Sequence, residues 1–230
     1  GKVKPDDTES LAFKSIHSVE DFVPEKIKQA LNGIKYAISS KLDRDPKIRL
    51  AVHPGMFSEP VFSFFSTSEF ARHTDQSNPV EMVSTNFLTT TMGEGGIGST
   101  HAVTDSVRLV HPSHIGILDP THTPEGQKIG ITGHLTIGAK KLNNKLALSV
   151  INAKTGKVET KTVQELDTAI IAFPDQYDLS VNPPKPLLKE IKGRQQAEVK
   201  AFSPNQVQYI LRDPKHMFSA TSNMIPFLHN

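Results

Sequence analysis

Residues 107–130 read VRLVHPSHIGILDPTHTPEGQKIG. Three His and a succession of Pro and Gly turn signals stand here, yet an apolar residue returns every few places. A polar linker would drop the Val, Ile and Leu, and a plain strand would not carry His-Pro, Asp-Pro and Thr-Pro together. The stretch is expected to be a compact run of loop and short strand, shaped by proline, with its polar groups aimed at a partner. Loops held this way by a scaffold concentrate binding and catalytic groups.

Working outward, 230 residues with 22% charged and 37% hydrophobic side chains suit a globular piece able to bury a real core. The net charge of +2 does not by itself announce a nucleic-acid binder. The absence of Cys excludes disulfides and thiolate metal sites and is compatible with a reducing cytosol. No apolar run reaches the roughly eighteen residues of a membrane span, so no membrane partner is expected. Gly1-Lys2-Val3-Lys4-Pro5 has neither Met nor a signal-peptide core, and a piece of a longer protein is expected.

Along the chain, residues 1–22 suggest an extended lead-in. Pro24 suits a first helical position, and Ile27, Leu31, Ile34 and Ile38 recur at helical spacing, which predicts a helix over Pro24–Leu42, weakened at Gly33. Ile48–Val52 is short and apolar, and His53-Pro54-Gly55 turns the chain. Phe62, Phe64 and Phe65 are expected in a core, because base-stacking rings usually have basic neighbours. From His73 to Val107 there is no Lys or Arg, and Asp75, Glu81, Glu94 and Asp105 give a local charge of −4. Between Ser106 and Leu146 five Arg or Lys oppose Asp119 and Glu125, so 5 − 2 = +3. After Gly133 the sequence turns β-rich: a hairpin of Leu146–Asn152 and Lys157–Val163, then strands at Thr168–Phe173 and Ala197–Phe202. Pro183–Pro186 reads as a stiff loop, and basic Lys185–Lys200 as a solvated face. Ser203, Pro204 and Gln206 have the arrangement of a capped short helix. The fold class expected is α+β, helices and short strands followed by a β-rich segment, divided 1–59, 60–133, 134–202 and 203–230.

His111 and His114 stand three apart across Pro112 and, with Glu125, could form a metal trio of a hydrolase. The same spacing works structurally, with each imidazole bonding backbone in a tight loop. Gly93, Gly95, Gly96 and Gly98 would allow close backbone approach to a ligand, as would any flexible surface loop.

Val-His-Pro-Ser-His at 110–114, Thr-Pro-Glu-Gly at 123–126 and Ile-Gly at 129–130 resemble the signature of the second-largest (β) subunit of multisubunit DNA-directed RNA polymerases. In the same order stand Asp75-Gln76-Ser77-Asn78-Pro79 and Gly93-Glu94-Gly95-Gly96 upstream. Ser203-Pro204-Asn205-Gln206-Val207 and Asn223-Met224-Ile225-Pro226-Phe227-Leu228 follow downstream. The resemblance implies the fork-bearing middle of a β-like subunit, walling an active-site cleft and separating strands. It places Arg108, His111, His114, Glu125 and Lys128 along the nucleic-acid and NTP path. Asp75, Gln76, Asn78, Gly93, Gly95 and Gly96 match the fork loop, whose bacterial counterpart forms the rifamycin pocket. There Arg72, Thr85, Leu88 and Thr90 replace the family's Gln, His, Arg and Ser.

The implied partners are a β′-like subunit, the remaining half of the β-like subunit, template DNA, RNA and NTPs. Mg²⁺ would be held by the other large subunit, since no Asp-x-Asp-Gly-Asp stands here. This chain alone is expected to be non-catalytic and to bind no cofactor. His122, Lys128, Ile115 and Ile117 depart from the family's Glu, Asn, Tyr and Arg. That drift suggests a split β-like subunit of a large bacteriophage, working in the cytoplasm of its host or carried in a virion. A non-catalytic structural protein on the same scaffold is the other alternative.

Overall fold

The computed structural model describes residues 7–45, 47–73 and 76–228. The chain forms two compact units, His17–His73 and a second that joins Gly1–Ile16 to Thr74–Asn230.

In the unit His17–His73, helix α1 spans Val19–Arg44. It starts earlier than Pro24 because Ser18 and Asp21 form a capping box, the Ser18 amide donating to Asp21 Oδ2 at 2.8 Å. Pro24 therefore sits inside the helix, where it removes one backbone donor. Short helix α2 (Ile48–Ala51) and α3 (Ser58–Thr67) follow. Phe22 of α1 stacks on Phe64 at 6.1 Å and on Phe70 at 5.3 Å. Of the three α3 phenylalanines expected in a core, only Phe64 is buried; Phe62 and Phe65 are 74% and 51% exposed. Helix periodicity explains this, since positions 62 and 65 fall off the face that carries Phe64.

The second unit is built on a seven-stranded sheet. Its strands are β3 (Ala139–Leu142), β4 (Lys145–Asn152), β5 (Val158–Thr162), β6 (Ile171–Ala172), β9 (Ile191–Gln195), β10 (Glu198–Phe202) and β11 (Tyr209–Leu211). β4 and β5 form the expected hairpin, in register from Ala147 opposite Thr162 to Ile151 opposite Val158. β3 and β11 also pair with β4, and β11 runs parallel to β6. Leu146–Val150 are buried five in a row, so both faces of β4 are covered. The strand expected over Thr168–Phe173 shortens to two residues, because α6 (Val163–Asp167) runs almost to its start.

Leu148, Val150, Ile117 and Leu211 pack with Leu11 of the N-terminal segment in one core. Ile170, Tyr177, Ile191, Val207 and Ile210 form the other. The stretch 185–200 is solvated at its lysines, but Arg194 is buried and donates to Pro112 O at 3.2 Å. The Pro112 carbonyl accepts from its guanidinium there, and Asp167 supplies the opposing charge. The expected short helix after Ser203 is one 3-10 turn, Pro204–Gln206, with the capping box in place. Mixed helices and sheets make the fold α+β. Among the described residues no helix is long and apolar enough to cross a membrane.

Candidate functional site

The 76–98 stretch and the 107–130 loop meet through one small sheet. Helix α4 (Pro79–Asn86) starts where the Asn78 side chain accepts the Val80 N–H at 3.0 Å, with Pro79 in its first turn. The chain leaves α4 as strand β1 (Leu88–Thr90), paired antiparallel with β2 (Thr132–His134). Threonines hold this pair, with Thr132 Oγ1 donating to Thr90 Oγ1 at 3.2 Å and Thr89 Oγ1 to Gly133 O at 3.2 Å. Residues 85–90, TNFLTT, are thus a helix end and a strand.

The glycine cluster beyond β1 folds upon itself. Gly93 and Gly95 have φ of 99° and 84°, and a Cβ at Gly96 would lie 2.2 Å from Thr91 O. The Ile97 amide donates to Thr91 O at 2.9 Å. Close approach is needed here, but by the loop's own backbone. Gln76 is exposed, and Asp75 lies outside the described residues.

The 107–130 stretch is fixed at three places. Arg108, at the end of α5 (Asp105–Arg108), donates from Nη1 to the carbonyls of Gln127 and Ile129, both at 2.8 Å. Gly130 closes this fold, for a Cβ there would meet Arg108 O at 2.4 Å. Between them Glu125 precedes a 3-10 turn, Gly126–Lys128; Glu125 and Lys128 are both exposed, and the Glu125 side chain makes no cap bond. Arg108 is therefore a loop clasp, and Glu125 and Lys128 are the charged groups it leaves facing outward.

The second place is the His-Pro-Ser-His turn. His111 Nδ1 accepts from the Ser113 amide at 3.1 Å and lies 2.7 Å from Ser113 Oγ. Accepting at Nδ1 puts the proton of the neutral ring on Nε2, which donates to Asp7 Oδ2 at 3.0 Å. Ser113 Oγ, 1% exposed, accepts the Leu11 amide at 3.0 Å. The sequence Asp–His–Ser of a nucleophilic triad is present, but its hydroxyl is sealed in the core and holds the N-terminal segment instead. His114 Nδ1 accepts the His111 amide at 3.4 Å. Burial above all, then His111 and Lys14, lowers its pKa to about 4, so it is neutral at pH 7.

The metal trio is not assembled. The imidazoles of His111 and His114 serve this turn, Glu125 belongs to the Arg108 fold, and among the described residues no three His, Asp or Glu are gathered to hold an ion. Both rings also bond within the turn, each through Nδ1.

The third place was not read from the sequence. Asp119, 3% exposed, accepts at Oδ1 from the Thr121 amide (2.8 Å), Thr121 Oγ1 (2.7 Å) and the His122 amide (3.3 Å), and at Oδ2 from the Ser219 amide (2.7 Å). Burial pushes its carboxyl up, but bonds from Ser219, Ser222 and Thr121 outweigh burial and hold it well below the usual carboxylate range. His122 stacks on His134 at 3.6 Å and 3°, and its Nδ1 lies 2.9 Å from Thr221 Oγ1. His134 donates from Nδ1 to His122 O at 3.1 Å. Burial keeps its pKa low, although that bond raises it. One knot thus joins positions a hundred residues apart. Asp119-Pro120-Thr121 is a recognisable Asx-turn signal, but its distant Ser219–Ser222 half has no local signature. The departures at Ile115 and Ile117 are core residues, Ile117 being 1% exposed.

The family of RNA polymerase Rpb2, domain 3, matches residues 72–140, which contain the glycine cluster, the 107–130 loop and the β1–β2 pair. The DNA-directed RNA polymerase subunit beta of Mycoplasmoides gallisepticum is 30% identical over 92% of this chain. The chain spans 16% of that subunit's length. On these two matches the chain is similar to a segment of the RNA polymerase β subunits, with the domain 3 match falling within it.

Proposed function

We propose that this chain is the fork-bearing cleft wall of a β-like subunit in a multisubunit DNA-dependent RNA polymerase, where it guides template, RNA and NTP during nucleotidyl transfer. The observation that carries the reading is the match over 92% of the chain, with domain 3 falling on the fork and loop. The geometry agrees with a wall: Arg108 and the two buried knots stiffen a loop that leaves Glu125 and Lys128 exposed. Lys128 suits contact with phosphate, and Glu125 suits ordering of a nucleotide or of a basic group beside it. Nothing favours the metal-dependent hydrolase.

Mg²⁺ is the ion such a reaction uses. The residues of this chain do not fit it, because the described residues gather no carboxylate cluster. The ions would sit on a β′-like partner, and this chain contributes no step through them. Its other partners would be the rest of the β-like subunit and the nucleic acid. The drift at His122 and Lys128 supports a divergent lineage, such as a split bacteriophage subunit acting in the host cytoplasm. Here His122 stacks on His134, a neighbour that suits an imidazole rather than the family's Glu.

The test is co-purification of the tagged chain from its native source, followed by elongation assays. Large polymerase subunits should accompany it, and the chain alone should not extend a primed RNA with Mg²⁺ and NTPs. In the assembled enzyme Glu125→Ala should slow nucleotide addition with assembly intact. Extension by the isolated chain would overturn the reading, and loss of assembly with normal elongation would make Glu125 structural.

A further inference from the structure

Apart from the 107–130 loop, exposed cations come together where β3, the end of β11 and the turn after it meet. The Asn143-Asn144 turn, with φ of 49° and 59°, closes β3 on β4 with Leu142 opposite Lys145 and Lys140 opposite Ala147. That register packs Ala139 on the core beside Leu148 and leaves Lys140 exposed. β11 pairs along the same edge of β4 as β3, because β5 takes the other edge opposite residues 147–151. Leu211, the last residue of β11, is buried, and Arg212 directly after it is exposed.

The turn Pro214–Met217 adds Lys215, also exposed, whose amide donates to the capping Asp213 Oδ1 at 2.8 Å. This turn is fastened beside the start of β3. The Ile137 amide donates to Phe218 O at 3.1 Å, and a Cβ at Gly138 would lie 2.9 Å from His216 Cβ. His216 therefore stands among the cations. Burial first, then Arg212, lowers its pKa, Asp213 opposes them, and Lys140 adds to the lowering, so the ring is neutral at pH 7. Several cations elsewhere are compensated. Lys14, Lys161 and Lys200 each pair with a carboxylate, and Lys185 of β8 (Lys185–Pro186) stands opposite Asp178 of β7 (Tyr177–Asp178). Among the described residues no ion pair takes up Lys140, Arg212 or Lys215, and Asp213 is engaged as the cap.

We propose that Lys140, Arg212 and Lys215 form a contact for the phosphate backbone of nucleic acid, separate from the 107–130 loop. Three uncompensated cations from three segments give what a polyanion passing over a surface uses, charge without a single fixed geometry. All three are exposed, so the surface is open, and a small phosphate ligand would lack the enclosure that such ligands take. Peptide recognition uses apolar anchors as well as charge, and the neighbours that these cations share are polar, His216 and Asp213. The inference rests on the polymerase reading only for the presence of nucleic acid beside the chain.

The experiment is a fluorescence-anisotropy titration of a labelled DNA duplex with the full chain across a salt series. Lys140→Gln and Arg212→Gln should each weaken binding about fivefold at moderate salt and cut the slope of log affinity against log salt by about 1, and together by about 2. Arg212→Lys should keep the slope, since it keeps the charge. Lys189→Gln, which removes an exposed charge elsewhere, should change neither slope nor affinity. Melting temperatures should stay level throughout, because none of these side chains is buried. Unchanged slopes in both Gln variants, or an equal loss in Lys189→Gln, would overturn the proposal. So would a polyglutamate peptide or free nucleoside triphosphate that displaces the duplex at equal charge concentration. Co-purification with large polymerase subunits alongside unchanged slopes would sink this inference and leave the polymerase reading standing. The predicted slopes without such subunits would do the reverse.

Discussion

The 107–134 loop and the β4-centred sheet lie in one unit and are held by opposite means. The sheet is an apolar object: Leu146, Leu148, Val150, Ile210 and Leu211 are all buried, and their packing would tolerate an exchange of one aliphatic for another. The loop buries polar groups instead, Asp119, Ser113 and His134 among them, each satisfied by named donors or acceptors. Apolar packing is forgiving of chemistry and sensitive to volume. A buried polar knot is the reverse, because a lone mismatched donor leaves several groups desolvated and unpaired. A segment that must hold its backbone still while facing outward is better served by the second device.

The largest expected effect tests that contrast directly. Asp119→Asn keeps the shape but turns one acceptor oxygen into a donor facing N–H and O–H donors. It should destabilise the second unit by about 3–4 kcal/mol, nearly as much as Asp119→Ala. Ile210→Val, a comparable small change at a fully buried sheet position, should cost about 1 kcal/mol. Urea unfolding of the two variants measures the difference. If Asn is as mild at 119 as Val is at 210, the loop is not held by its carboxylate.

A somewhat smaller effect is expected at the fork, in the assembled enzyme. By the resemblance, Thr85, Leu88 and Thr90 would stand where the family's rifamycin pocket relies on polar side chains. Here Thr85 Oγ1 donates to Glu81 O at 2.8 Å, Leu88 offers no polar group, and Thr90 Oγ1 accepts from Thr132 and from the Met92 amide. Each polar partner lost to a buried ligand costs about 1–3 kcal/mol, so two or three losses weaken the drug by roughly 10² or more. Transcription by an enzyme containing this chain should persist at rifampicin levels that stop a bacterial polymerase. Inhibition at the same low concentration would show that these positions do not form the pocket wall.

Much of this was legible where the signal is local. The hairpin about Lys154-Thr155-Gly156, the proline-shaped loop and the Ser203 capping box follow from turn and cap chemistry within a few residues. The start of α1 was misread because Pro24 is a louder signal than the Ser18–Asp21 pair ahead of it. Of the residues put in a nucleotide path, Glu125 and Lys128 stay exposed, whereas Arg108 spends one guanidinium nitrogen on its own loop. His111 needed Asp7 and Ser113, and Asp119 needed Ser219; pairings over such separations leave no periodicity or spacing to read. Polar knots that close across long stretches of chain are the part of a fold that sequence pattern states least.

The smallest effect concerns acid, and it separates the two ends of the loop. His114 has a folded pKa of about 4 against an ordinary 6.5. Below pH 6.5 the unfolded chain takes up this proton and the folded chain does not, so stability present near neutrality drains as the pH falls toward 4. At 1.36 kcal/mol per unit, the loss from His114 alone reaches about 2 kcal/mol by pH 5. Asp119 acts by the same sign but lower, its share being lost only as the pH falls below the ordinary carboxylate range near 4. His114→Gln should therefore flatten the stability profile between pH 7 and 5 and leave its steeper acid limb in place. Gln can still accept the His111 amide with its side-chain oxygen, so the turn keeps its bond while losing its proton site. Urea midpoints at pH 7, 6 and 5 for the parent and the variant provide the check. Parallel profiles would mean that His114 is not the buried neutral base that fixes the His-Pro-Ser-His turn.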